Sequence, residues 1–192
     1  MKLTFLEADR PLRKVFDENG KSNYPNAYEF TSHTVDVTSL EEFHQHTLTH
    51  ALESNCLLKG RIKHALRRES RAGSTDSDDL TEWACFDADG LSGIPDSEMF
   101  LRRLNLQGHS YVQQWSSSAF LERDGKLNTD FNAHIFMRFS RPVSPHLIKL
   151  WLKVKNLEVF EQDLALTASN VALRYGLDIT TCQNDKLLFI AP

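Results

Sequence analysis

Residues 81–86 close on Trp83-Ala84-Cys85-Phe86, and Asp87-Ala88-Asp89-Gly90 follows at once. An aromatic and small apolar run of this length is too short for a buried helix and reads as a buried strand. A strand of that kind needs helices or further sheet to cover it. It therefore constrains the fold to strands packed under helices.

The rest of the chain supplies both. Residues 1–8 alternate, residues 17–26 hold the Gly, Asn, Pro and Ser of a loop, and residues 28–37 read as a strand. Ser39 with Glu42 is a capping box, and Leu40, Phe43, Leu48, Ala51 and Leu52 then recur at helical spacing. Residues 56–60 are expected to turn the chain, 61–71 to form a strongly basic helix, and 73–79 a polar loop. Pro95 with Met99, Phe100 and Leu104 predicts a helix, and 111–115 and 134–139 predict strands joined through a hairpin at Gly125. Residues 144–157, started by Pro145, and 165–175, stopped by Gly176, read as helices. Strands at 177–179 and 187–190 close the chain. The expectation is a mixed α/β, α+β fold with helices on a sheet, free of repeats and low-complexity tracts.

At 192 residues the chain is expected to be one domain, or one domain of two lobes. Its 22 Lys and Arg against 26 Asp and Glu exclude a uniformly basic surface that grips duplex DNA, so any nucleic-acid site must be local. Cys56, Cys85 and Cys182 form no Cys-x-x-Cys pair and read as reduced core thiols. There is neither an apolar run of the roughly 20 residues that cross a bilayer nor a signal-peptide pattern, so a cytoplasmic protein without membrane contact is expected.

Asp87 and Asp89 are the chemical focus. Two positions apart on an extended chain, their side chains point to the same face. Two carboxylates so close raise each other's proton affinity, and a divalent cation removes the conflict. Mg²⁺ suits one or two carboxylates completed by substrate phosphates, the requirement of a phosphoryl-transfer site. A simple Asp/Gly turn is the competing reading, and placement at a strand end favours a site. An EF-hand does not fit, because the further oxygen ligands and the twelfth-position Glu are missing.

With these residues in view, the chain from about Leu57 onward resembles the archaeo-eukaryotic primase superfamily, in its phage, plasmid and mobile-element branch. The likeness rests on Asp87 and Asp89, then Ser116-Ser117-Ser118 and His134 in Ala-His-Ile-Phe-Met, then Asp178 in Gly-Leu-Asp-Ile, in the family's order. Arg141-Pro142-Val143-Ser144 and the closing Leu188-Phe189-Ile190-Ala191-Pro192 add to it. The resemblance implies a primase-polymerase core, with an RRM-like half and a second α/β half around a cleft. It implies that Asp87, Asp89 and Asp178 hold two Mg²⁺ or Mn²⁺ ions and that His134 contacts the phosphates of a nucleoside triphosphate. The family often has Ser two residues before the His. Here that residue is Asn132, so Asn132 or Ser116, Ser117 and Ser118 would supply the phosphate-side contact. A single-stranded DNA template is the implied partner. The likeness and the apolar ending also suggest the N-terminal catalytic part of a longer replication protein, followed by a priming region or helicase.

Lys59, Arg61, Lys63, Arg67, Arg68 and Arg71 form a basic concentration interrupted only by Glu69. In an acidic chain it is a candidate for template or triphosphate phosphates, against the plainer reading of a solvated helix face. Lys149, Lys153 and Lys155 are read as a solvated face. Tyr111 and Trp115 could stack on bases, but a strand core is the commoner use. His46 and His50 share a helix face, yet Leu48 stands between them and no zinc-protease Glu is present. Two alternatives to a polymerase stay open: a non-catalytic RRM-like nucleic-acid-binding module, and a rolling-circle nickase using His44 and His46.

Overall fold

The structure, a computed structural model, describes residues 1–14, 16–17, 20–21, 24–123, 125–167 and 169–190. In chain order these form β1 (Lys2–Ala8), β2 (Phe16–Asp17), β3 (Gly20–Lys21), β4 (Phe30–Asp36), α1 (Leu40–Leu52), β5 (Cys56–Leu58), β6 (Arg67–Glu69) and β7 (Thr81–Leu91). There follow α2 (Ser97–Arg103), β8 (Val112–Trp115), β9 (Glu122–Arg123), β10 (Lys126–Leu127), β11 (Phe131–Val143), α3 (Pro145–Val159), β12 (Ala165–Leu166), β13 (Leu173–Arg174) and β14 (Leu187–Phe189). Short 3₁₀ turns occupy Glu161–Asp163 and Ile179–Cys182. The described residues thus form a mixed α/β protein with three α-helices and several antiparallel sheets. The chain divides into two units, Met1–Thr81 with Gln183–Pro192, and Glu82–Cys182.

The first unit is built on a five-stranded sheet of order β14-β5-β1-β4-β6. Its strands pair antiparallel, β1 with β4 from Lys2 opposite Asp36 to Ala8 opposite Phe30. Leu3, Thr4, Phe5 and Leu6 of β1 are all buried, because both faces are covered. On one face Phe5 stacks against His50 of α1, with ring centres 4.0 Å apart. On the other, Leu6, Cys56, Leu58, Phe30, Leu12 and Leu66 form a core. The α1 cap is as the sequence predicts at Ser39, whose Oγ accepts from the Glu42 N–H at 3.1 Å. The Glu42 carboxylate turns instead to Thr38, accepting from its N–H at 2.6 Å. The buried stripe is Phe43, Thr47 and Ala51, while Leu48 and Leu52 are exposed.

Two expectations fail here. Residues 56–58 are the buried strand β5 and not a turn, and residues 61–71 are not a helix. The segment pairs with β4 instead: the Ser32 N–H donates to the Leu66 carbonyl at 3.1 Å, and the Leu66 N–H donates to Ser32 Oγ at 2.9 Å. Its apolar residues make no stripe at helical spacing, so a helix would bury nothing, whereas an edge strand buries Leu66 and leaves the charges in water. Arg68 lies in the left-handed region at φ 55°, outside any α-helix. The expected loop at 17–26 falls partly outside the described residues; of those described there, Asp17, Gly20 and Lys21 belong to the β2–β3 ladder and 24–26 have no regular structure, as a loop requires.

The second unit runs β7, α2, β8, the β9–β10 hairpin, β11 and α3. Its sheet has the order β7-β11-β8, with β11 antiparallel to β8 from Ala133 opposite Trp115 to Phe136 opposite Val112. Leu177 adds an antiparallel bridge to Ala88 of β7. Alternation decides the faces. Ala84, Phe86, Ala88, Ala133 and Ile135 join Phe100, Leu101, Ile148, Leu152 and Phe160 in one core. The α2 helix starts at Asp96, which accepts from the Met99 N–H at 2.8 Å, and α3 at Ser144, which accepts from the Leu147 N–H at 3.2 Å. The helix expected at 165–175 is absent among the described residues. Ala165–Leu166 and Leu173–Arg174 pair as the β12–β13 hairpin, and the Thr167 N–H donates to the Ala172 carbonyl at 2.8 Å. Leu166, Val171 and Leu173 are exposed there, so no apolar face favours a helix.

Candidate active site

Asp87 and Asp89 lie inside β7, which continues to Leu91, and not at a strand end as the sequence suggested. The strand alternation that buries Phe86 and Ala88 under the helices turns both carboxylates to the opposite face. Asp178 arrives beside them. Its N–H donates to the Asp87 carbonyl at 2.9 Å, and the Asp89 N–H donates to the Gly176 carbonyl at 3.0 Å, on either side of the Ala88–Leu177 bridge. This ladder sets Asp178 opposite Asp87, and opposed residues of antiparallel strands share a face.

His134 joins from β11, the hydrogen-bonded neighbour of β7. Its Nε2 is 3.3 Å from Asp87 Oδ1, and its ring meets Phe136 edge-on. Its Nδ1 is buried without a hydrogen-bond partner. An unpaired buried polar atom costs on the order of 1–3 kcal/mol, so this nitrogen is an uncompensated polar group beside the Asp87 contact.

Each carboxylate already has a different neighbour. Asp89 Oδ2 is 2.9 Å from the Arg174 guanidinium, with both side chains 58% exposed, so the pair is screened by water and weak. The Asp178 carboxylate accepts from the Thr180 N–H at 2.7 Å and from Thr180 Oγ1 at 2.7 and 2.9 Å. Among the described residues no three His, Cys, Asp or Glu side chains converge closely enough to hold a metal ion. The donor set on this face is nevertheless hard oxygen from Asp87 and Asp178. That chemistry fits a divalent ion whose remaining ligands are substrate oxygens and water.

The serine turn is connected to this face through Asn132. Asn132 is buried, accepts at Oδ1 from the Gly90 N–H at 2.9 Å and from Ser118 Oγ at 3.4 Å, and donates to the Asp130 carbonyl at 2.8 Å. Ser116 Oγ lies 2.8 Å from Ser118 Oγ, and the Ser116 N–H donates to the Asn132 carbonyl at 3.0 Å. Asn132 therefore ties the serine turn to the residue after Asp89, using its own amide to do so. Ser117 is half-buried in the same turn.

The basic candidates belong to the first unit. Arg61, Arg67 and Arg68 are exposed, and Arg71 is half-buried, donating to the Asp185 carbonyl at 2.8 Å. Lys59 departs from them. It is 1% exposed and donates through Nζ to Thr81 Oγ1 at 2.6 Å, so it sits in the interior and not on the phosphate-facing surface expected from sequence. His44, His46 and His50 lie on α1, where the paired strand histidines of a nickase do not occur. Tyr111 is engaged with Ser97 and Glu98.

Sequence reasoning missed the residue that builds the site. Asn156 of α3 is fully buried; its Nδ2 donates to the Leu152 and Leu177 carbonyls at 2.8 and 3.0 Å, and its Oδ1 accepts from the Leu177 N–H at 2.9 Å. It fastens the segment that carries Asp178. The available signal was a polar residue on the buried stripe of Ile148 and Leu152. Comparison with known proteins adds no assignment: no family model, no curated protein and no solved structure matches the chain.

Proposed function

We propose that this chain is a primase-polymerase, joining nucleoside triphosphates on a single-stranded DNA template by in-line attack of a 3′-hydroxyl on an α-phosphate. The observation that carries the reading is the meeting of Asp87, His134 and Asp178 on one sheet face from three distant parts of the chain. The β7-α2-β8-β11-α3 order, with the Leu177 segment bridged to β7, supports an RRM-like half. Its place in a primase-polymerase core is part of the same proposal.

Asp87 and Asp178, with Asp89 once its carboxylate leaves Arg174, would hold Mg²⁺ or Mn²⁺, which when bound neutralises the triphosphate and lowers the pKa of the attacking hydroxyl. His134 positions Asp87 through Nε2. Its unpartnered Nδ1 is the group proposed for a phosphate oxygen, once the site opens to admit the nucleotide. Ser116 and Ser118 offer hydroxyls to the same anion. Positioning and charge neutralisation then supply most of the rate. Arg61, Arg67, Arg68 and Arg71 are the residues for template phosphates; Lys59 is left out because it is buried.

The test is extension of a primed template with Mn²⁺ or Mg²⁺ and both sugar types. Wild type extends, and Asp87→Ala with Asp89→Ala loses extension while keeping its circular dichroism spectrum. Full activity in that variant overturns the assignment. A second reading, a non-catalytic binding module, is favoured by the Arg174 guanidinium that already occupies the Asp89 carboxylate. It predicts metal-independent single-strand binding and no triphosphate affinity. Mn²⁺-dependent triphosphate binding that falls in His134→Ala excludes it.

A further inference from the structure

The α3 helix has two apolar stripes. Pro145, Ile148, Leu152 and Asn156 face the core, and on the far side Leu147, Leu150, Val154 and Leu157 are 57%, 51%, 38% and 54% exposed. Their spacing alternates three and four over two heptads, so Leu147 and Val154 take the a positions and Leu150 and Leu157 the d positions of a coiled-coil seam. Scattered exposed leucines need no explanation, but a continuous row at this period does. Leu147, Leu150 and Val154 of this row themselves form one side of an apolar groove of about 510 Å³, which Phe86, Phe139 and Val143 line from the sheet.

The charges beside the row select its occupant. Lys153 stands at a g position and Glu158 at the following e position, and both are exposed. In a parallel, in-register pair of α3 helices, g of one chain meets the next e of its partner, so Lys153 faces Glu158 twice across the two-fold axis. An antiparallel pair brings Lys153 against His146 and Glu158 against Trp151, and gains no such ion pair. Glu158, 59% exposed, already lies 3.4 Å from Lys155 of its own helix, whose side chain is 16% exposed, so in the dimer Lys153 of the second copy shares this carboxylate with Lys155. We propose that the outer face of α3 is a homodimer interface, in which a second copy of this chain packs its Leu147–Leu150–Val154–Leu157 row in parallel against the first. Two heptads make a short seam, so the dimer is a reversible one that forms in the micromolar range, aided by the groove beside it.

Sedimentation equilibrium on the full chain tests this. Wild type shows a concentration-dependent dimer, and Leu150→Asp with Val154→Asp is monomeric throughout with an unchanged circular dichroism spectrum. Lys153→Glu places like charges opposite each other twice and raises the dissociation constant about tenfold. Lys153→Glu combined with Glu158→Lys restores it. Val154→Cys adds an independent readout, because an a residue opposes itself only in the parallel arrangement and oxidises there to a disulfide-linked dimer; Cys56, Cys85 and Cys182 are buried and do not compete. A monomer at all concentrations, a dimer indifferent to Leu150→Asp with Val154→Asp, or a charge swap without rescue each overturns the proposal. A Val154→Cys dimer that fails to form the disulfide on oxidation overturns the parallel orientation.

Discussion

Replacing Asn156 by Leu separates the site from the rest of the unit. Asn156 makes three hydrogen bonds in the interior, and two of them satisfy both backbone groups of Leu177. Leucine has the same branched skeleton but larger methyls, which meet the Leu152 and Leu177 groups now at 2.8 to 3.0 Å, so the site is overpacked and no space for a bridging water is created. The Leu177 N–H and C=O are then buried without partners, at about 1–3 kcal/mol each. Additional apolar burial offsets about 1 kcal/mol, for a net loss of about 1–5 kcal/mol. In a chain of this size that is a fall of roughly 2–20 °C in melting temperature. The assay is thermal denaturation together with amide hydrogen exchange. Asp178 and Asp89 donate their N–H groups across the Ala88–Leu177 bridge, so both should lose protection ahead of the β11 amides. A variant that melts within a degree of wild type, with Asp178 and Asp89 as protected as before, refutes the reasoning. Retained protection with lowered stability would show that the β7 ladder holds Asp178 without help from α3.

Three further outcomes follow from local packing and charge. A Cβ on Gly60 would stand 2.5 Å from Asn184 Cβ and 2.7 Å from its carbonyl oxygen, and Asn184 is held by the Asp76 and Asp79 carbonyls at 2.7 and 2.8 Å. Gly60→Ala should therefore destabilise by about 1–3 kcal/mol or more, read by urea denaturation, and an unchanged midpoint would contradict it. Burial pushes the Cys56 thiol up to about 12, so it should resist alkylation in the native protein at mildly alkaline pH and react on unfolding, followed by mass spectrometry. His50 is held below its ordinary value of 6.5, chiefly by burial against Phe5, with His33 and His46 adding to the effect and Glu53 opposing it. The unfolded chain then takes up the proton first. This contribution to stability is complete above about 6.5 and declines as the pH falls below it. Melting temperature should drop across that window, and His50→Gln should flatten the slope; an equal slope in the variant would remove His50 as the cause.

What could be read in advance depended on interactions local in sequence. The Ser39 cap, the helix read from Pro95, Met99, Phe100 and Leu104, the helix started by Pro145, the apolar run of β7, and the shared face of Asp87 and Asp89 all arise within a few residues. These depend on backbone geometry and short-range hydrogen bonds, which any surrounding fold must respect. The basic stretch at 61–71 and the 165–175 segment went the other way. Helix propensity there was a weak local preference, and pairing with β4 in one case and hairpin closure in the other overrode it. Lys59 looked like its basic neighbours because sequence carries charge but not depth. The meeting of Asp178 with Asp87, the contact of His134 with Asp87, and the Arg174 guanidinium on Asp89 lay beyond sequence for the same reason. Residues tens of positions apart become neighbours only through strand order and register, and here the Leu177 backbone in that register is bonded to a buried Asn156 that reads in sequence as one polar residue in a helix. The sequence by itself determined which carboxylates share a strand face; tertiary structure decided which third carboxylate, which histidine and which arginine stand beside them.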